Sequence, residues 1–111
     1  ARGRLGVARI RLDQLRRRTA YVEMEIETKA RMALEALEAA FEQTRYAREN
    51  VELAELLRSA ESRKLNSGLS NLIDLNIREQ QAASAAQSLV KAQQAYFRAL
   101  ADYRTRVALE G

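Results

Sequence analysis

The sequence predicts an all-α fold, a long antiparallel two-helix coiled-coil hairpin, on three observations. Proline is absent from all 111 residues. Apolar residues recur every three or four positions over nearly the whole length. The pattern is interrupted once, at Asn66-Ser67-Gly68-Leu69-Ser70-Asn71. The 47% hydrophobic and 31% charged composition, rich in Ala, Leu, Glu, Arg and Gln, is that of strong helix formers in a long helix or coiled coil. The chain therefore divides into a first arm over about residues 3–66, a turn at 67–70 and a second arm over about 71–109. It starts inside a helical pattern at Ala1-Arg2-Gly3-Arg4 and stops at Glu110-Gly111, and is expected to be a segment of a larger protein.

In the first arm Leu5, Ala8, Leu12, Leu15, Thr19, Val22 and Ile26 keep a 3-4 spacing. The phase slips by one residue near Thr28 and resumes as Ala30, Ala33, Leu37, Ala40, Thr44, Ala47, Val51, Ala54 and Leu57. Sustained 3-4 spacing is a coiled-coil seam, and a one-residue slip alters the supercoil locally without ending the helix. Alanine at alternate seam positions lets another helix approach closely.

The turn is punctuated by its own chemistry. Gly68 adopts the left-handed conformation that closes a helix C-terminus without a steric penalty. Arg63 and Lys64 sit in the last turn, where positive charge suits the exposed carbonyls. Asn71, with Asp74 three residues on, is an N-cap candidate for the second arm, and Ser70 is the alternative.

The second arm carries two neighbouring stripes. One runs Leu72, Leu75, Ala82, Ala86, Leu89, Tyr96, Leu100, Tyr103 and Val107; the other, of small residues, runs Ala85, Ala92, Ala95 and Ala99. Two stripes imply helices on two sides, as in a wall of helices closed into a cylinder, whereas one packing partner calls for a single stripe. A generously apolar helix of a four-helix bundle is the plainer reading. At about 1.5 Å per residue the second arm is about 60 Å long and the first about 95–100 Å. The first arm is therefore expected to run past the second.

Composition removes several kinds of chemistry. Histidine and cysteine are both absent, so there is no imidazole base, no thiolate metal site and no disulfide. The Glu-x-x-His signature of di-iron bundles cannot occur. Glu49 and Glu52 share a helix face, but no nucleophile or phosphate-cradling glycine loop accompanies them. A solvated helix surface is the expected role of these carboxylates; no enzyme activity and no cofactor are expected. The net charge of +4 is unevenly spread, with Arg2, Arg4, Arg9, Arg11, Arg16, Arg17 and Arg18 crowded against Asp13 alone. Such a helix end suits nucleic acid or a lipid surface, or simply a solvated or partner-facing helix face. The last is preferred, because no nucleic-acid-binding motif accompanies the arginines.

Within Glu61–Gln80, the run Leu65-Asn66-Ser67-Gly68-Leu69-Ser70-Asn71-Leu72-Ile73-Asp74-Leu75 resembles the turn of the outer membrane efflux protein (TolC-like) family. Ala92, Tyr96, Ala99, Leu100 and Tyr103 resemble that family's Ala/Tyr-rich returning helix, and Ala1-Arg2-Gly3-Arg4-Leu5 the point where its long helix leaves the membrane barrel. The resemblance covers essentially the whole chain, as the second of the family's two periplasmic hairpins. It implies a segment of a periplasmic α-helical barrel in a trimeric outer membrane channel. The hairpin tip would meet a periplasmic membrane-fusion adaptor, and through it an inner-membrane pump. Leu65, Ser67, Gly68, Leu69 and Ser70 match the adaptor-docking tip, and Asp74 an acidic position near the channel entrance. A second acidic position expected one turn later is here Ile77, and a basic position just after the turn is here Ser70.

Two other roles fit a long hairpin. The adaptor's own helical hairpin has similar length and a similar glycine turn, but is flanked by lipoyl-like strands. A basic coiled-coil scaffold would bind nucleic acid through the N-terminal arginines, and would show salt-dependent binding to duplex DNA. The Tyr96/Tyr103 pattern favours the channel, with no nucleic-acid partner.

Overall fold

The computed structural model describes residues 2–110; Ala1, Gly111 and the side chain of Arg2, part of the basic run, lie outside the described residues. Two helices make up the chain, α1 (Arg2–Asn66) and α2 (Leu72–Glu110). They pack as an antiparallel hairpin, a rod of 100 × 21 × 13 Å. The absence of proline leaves every interior N–H free to close its helical bond, which is why 65 residues run as one helix. Ion pairs one turn apart brace the surface: Lys29–Glu25 at 2.9 Å, Arg45–Glu42 at 2.7 Å and Arg58–Glu55 at 2.9 Å. Each is about half exposed and contributes roughly 0.3–0.5 kcal/mol at most, so these pairs stiffen the helices without holding them together.

Register is set by the turn. Thr44 Oγ1 lies 3.3 Å from the carbonyl oxygen of Ala92, and each of these residues stands 24 positions from Gly68. Ala54 and Ala82, which share a buried cluster with Ala85 and Val51, each stand 14 positions from it. The hairpin therefore closes with no offset about its glycine. Counting outward, Val51 falls opposite Ala85, Ala47 opposite Leu89, Ala40 opposite Tyr96, Leu37 opposite Ala99 and Ala33 opposite Tyr103. In each of these layers an alanine on one helix meets a larger side chain on the other.

Among the described residues the buried ones are Ala30, Ala33, Ala54, Ala82 and Ala85, and no large side chain is wholly buried. Two helices cannot enclose a core, so among the described residues burial reaches its fullest at alanine, which fits between closely spaced backbones. The same Thr44 hydroxyl lies 2.9 Å from its own helix's Ala40 carbonyl, so its hydrogen closes either on α1 or across to α2.

The seam corrects the expectation in two places. On α1 it continues from Ala54 to Arg58, Glu61 and Leu65, all partly buried, while Leu57 sits on its flank at 38% exposure. Strict alternation of three and four requires position 58; hydrophobicity alone selects 57. On α2 the seam is neither of the two stripes. It takes members of both, as Leu75, Arg78, Ala82, Ala85, Leu89, Ala92, Tyr96, Ala99, Tyr103 and Arg106, and leaves Leu72, Ala86, Ala95 and Val107 exposed. Arg58, Arg78 and Arg106 are partly buried at seam positions, which a long side chain tolerates by covering its neighbour with the aliphatic stem and keeping its charge in water. Arg58 and Arg106 pair with Glu55 and Asp102, and Arg78 donates to Gln81 Oε1 at 3.2 Å.

The last turn of α2 lies beside Glu23, Ile26 and Glu27 of α1. Residues 3–22 of α1 run on beyond it as an unpaired overhang, with Leu5, Ile10, Leu12, Leu15 and Val22 exposed.

Candidate functional site

At the tip, local hydrogen bonding holds the backbone in one conformation. The Leu69 N–H donates to the Lys64 carbonyl at 2.8 Å and the Gly68 N–H to the Leu65 carbonyl at 3.0 Å. With Gly68 at φ 76°, this is a Schellman closure of α1. Nothing lies within 4 Å of where a Gly68 Cβ would stand, so backbone conformation alone selects glycine there. Ser67 N–H donates to the Arg63 carbonyl at 3.1 Å, and Ser67 Oγ donates to the same oxygen at 3.1 Å. The carbonyls of Arg63, Lys64 and Leu65 in the last turn of α1 are thus met within the turn.

The start of α2 is equally closed. Asn71 is the N-cap: its Oδ1 accepts from the Asp74 N–H at 2.8 Å, and its Nδ2 donates to Asp74 Oδ2 at 3.2 Å. The two side chains form a reciprocal cap, with the Asp74 carboxylate at the positive end of the helix dipole. Ser70, the alternative cap, is half-buried, and its Oγ is shielded from water with no hydrogen-bond partner.

Against this fixed backbone the apolar side chains stand outward. A Schellman turn is commonly sealed by the residue after the glycine folding back on the helix. Leu69 instead remains 79% exposed. Leu72 and Ile73, in the first turn of α2, are 73% and 74% exposed. Of the tip residues read from the sequence, Leu65 is drawn partly into the seam, Ser67, Gly68 and Leu69 are exposed at the apex, and Asp74 is exposed beside the cap. Leu72 was assigned to a packing stripe and Ile73 to nothing, yet both belong to this apolar surface. The signal in the sequence is that Ile73, two residues after the cap at Asn71, falls outside the seam phase.

The sides of the rod are apolar as well. Phe41 and Tyr96 rings lie 6.2 Å apart and Tyr96 and Phe97 5.7 Å apart, a tilted and an edge-on contact that leaves Phe41 and Phe97 mostly exposed. Met32, Leu53 and Leu56 on α1 and Val90 on α2 are exposed too. The carboxylates Glu49 and Glu52 lie on the exposed surface. Among the described residues, no group of three or more acidic side chains converges as a metal site would require. No helix among them is long and apolar enough to cross a membrane.

No family model, curated protein or solved structure matches this chain.

Proposed function

We propose that this hairpin is a periplasmic tunnel segment of a trimeric outer membrane efflux or secretion channel, and that its tip docks a membrane-fusion adaptor. The observation that carries the reading is Leu69, held 79% exposed on a turn closed by Schellman hydrogen bonds at the end of a rod 100 Å long. A rigid backbone presenting Leu69, Leu72 and Ile73 at its apex loses little conformational freedom when a partner covers them. The exposed apolar residues along both sides of the rod support placement in a wall of helices, where each helix has neighbours beyond its hairpin mate. On this reading Leu65, Ser67, Gly68, Leu69 and Ser70 form the docking tip and Asp74 stands near the channel entrance, its position fixed by its bond to Asn71. The segment is a passive conduit without cofactor or enzymatic activity. Transport energy comes from an inner-membrane pump that the tip reaches only through the adaptor.

The test is Leu69→Asp in cells producing the intact channel. Cross-linking from a cysteine at Ser67 to the adaptor is expected to be lost and export to fall, with helix content unchanged by circular dichroism. Normal export by the variant would refute the tip assignment.

A further inference from the structure

The two broad sides of the paired zone differ in charge. One is marked by a groove between Asn50, Leu53 and Leu57 of α1 and Gln81, Ser84 and Ser88 of α2. The other carries Arg31, Leu34 and Val107 at one end and the Phe41–Tyr96–Phe97 contact further along. On this second side α1 presents Arg31, Glu38, Arg45 and Glu52, seven residues apart and alternating in sign. The α2 row beside it is Ala83, Val90 and Phe97, also seven apart, and no charge falls on this side of α2 between Gln80 and Ala101. Lys91 and Arg98, the charges of that stretch, follow Ser84 at heptad spacing and belong to the grooved side.

The α1 pattern is self-complementary. Reversed about the midpoint between Phe41 and Glu42, it sets Arg31 against Glu52, Glu35 against Arg48 and Glu38 against Arg45, and over residues 31–52 of this side no two like charges meet. Among the described residues Arg31, Glu35, Glu38, Arg48 and Glu52 enter no ion pair within the hairpin. A second copy laid face to face on this side has two symmetric choices. With both tips at one end, α1 lies over the other copy's α2, and its charges would be desolvated against an uncharged row. With the tips at opposite ends, α1 lies over α1 and α2 over α2. Charge then meets opposite charge, the Ala83–Val90–Phe97 row meets its own copy, and Phe41 and Phe97, 55% and 64% exposed, fall near the centre.

We propose that this side of the hairpin receives a second copy of the chain, antiparallel to the first, closing a four-helix bundle about a two-fold axis at the level of Phe41 and Glu42. All four helices overlap from Ile26 to Leu57 of α1, roughly 48 Å at about 1.5 Å per residue. With the rod 21 Å wide, the covered face is about 1,000 Å², above the ~800 Å² per partner of a standard stable interface. In a channel wall every tip points the same way, so this pairing is made by the chain outside such a wall and is independent of what docks at the tip.

The experiment is sedimentation equilibrium of the 111-residue chain and two charge variants. One carries Arg31→Glu, Arg45→Glu and Arg48→Glu, the other Glu35→Arg, Glu38→Arg and Glu52→Arg. All six side chains are exposed, so helix content by circular dichroism should be unchanged. The wild-type chain is expected to dimerise. Each variant alone sets like charges opposite each other at six places, and its association should be weaker by about sixty-fold or more, at about two-fold per pair. A one-to-one mixture of the two variants should recover a dimer of at least wild-type strength, and Phe97→Asp should lose it. Spin labels on Arg63→Cys in the two copies should lie about 65 Å apart, at about 1.5 Å per residue from the centre. A wild-type chain still monomeric at millimolar concentration would overturn the proposal. So would either charge variant dimerising as well as wild type, a mixture no stronger than its components, or a label distance under about 30 Å, which places the tips together.

Discussion

One helix, α1, lives in two settings. From Ala30 to Leu65 its seam alternates alanine with larger residues, its flanks are largely uncharged and α2 lies along it. From Leu5 to Val22 the seam is richer in leucine, the flanks are arginine, and the face is bare. Both keep a 3-4 spacing, but the phase slips by one residue near Thr28 between them, so the apolar stripe turns about the helix. Rhythm tells where a neighbouring helix must lie; seam size and flank charge tell which neighbour it is. In the paired zone small residues bring the backbones close enough for Thr44 Oγ1 to come within 3.3 Å of the Ala92 carbonyl.

The comparison is broken or sharpened first by hydrogen exchange. Alone, a helical segment as short as the overhang is only marginally stable in water, whereas residues 30–65 are held by tertiary packing. In the isolated chain, opening of the overhang is expected to be easier by about 3 kcal/mol or more, making exchange at residues 5–22 roughly 100-fold faster than in the paired zone. Uniform protection along α1, measured by mass spectrometry at low protein concentration, would mean that the two settings do not differ energetically.

Close packing is the second difference to attack. Ala85 is only 4% exposed and falls opposite Val51. Ala85→Trp overfills that layer and is expected to destabilise the hairpin by about 1–3 kcal/mol. Ala8→Trp, on the bare seam of the overhang, should be nearly silent in the same urea titration. Equal effects at the two alanines would show that alanine in the paired seam is not there to permit close approach.

That contrast also explains what was legible in the sequence. The hairpin, its turn and the α1 seam from Ala30 to Ala54 follow from periodicity, because a phase repeated over many turns outweighs any single residue. Hydrophobicity points to Leu57 where the phase requires Arg58, because an arginine can occupy a seam position by burying only its stem. The α2 seam was split between two stripes because the helix is apolar on more than one side. Only the facing sequence, set in register by Gly68, picks the alternating members that pack. The tip was less legible. Leu72 and Ile73 look like core residues on composition, and their exposure follows from the place of the cap at Asn71, one residue beyond the alternative at Ser70.

The smallest effect expected is at the turn, which should act on one setting and not the other. Asn71 donates to and accepts from Asp74, so Asn71→Ala leaves an N–H at the start of α2 without its partner and is expected to cost about 1 kcal/mol. Asp74→Ala removes the carboxylate from the dipole end but spares the Asn71 bond to the backbone, and should cost only about 0.3–1 kcal/mol. Both losses are to be read as faster exchange and a lower urea midpoint in the paired zone. Exchange in residues 5–22 should not move, because the turn sets the register of α2 against α1 and has no hold on the part of α1 that α2 never reaches. If Asn71→Ala accelerated exchange in the overhang as much as in the paired zone, α1 would be a single cooperative unit along its whole length, and the partition into two settings would fail.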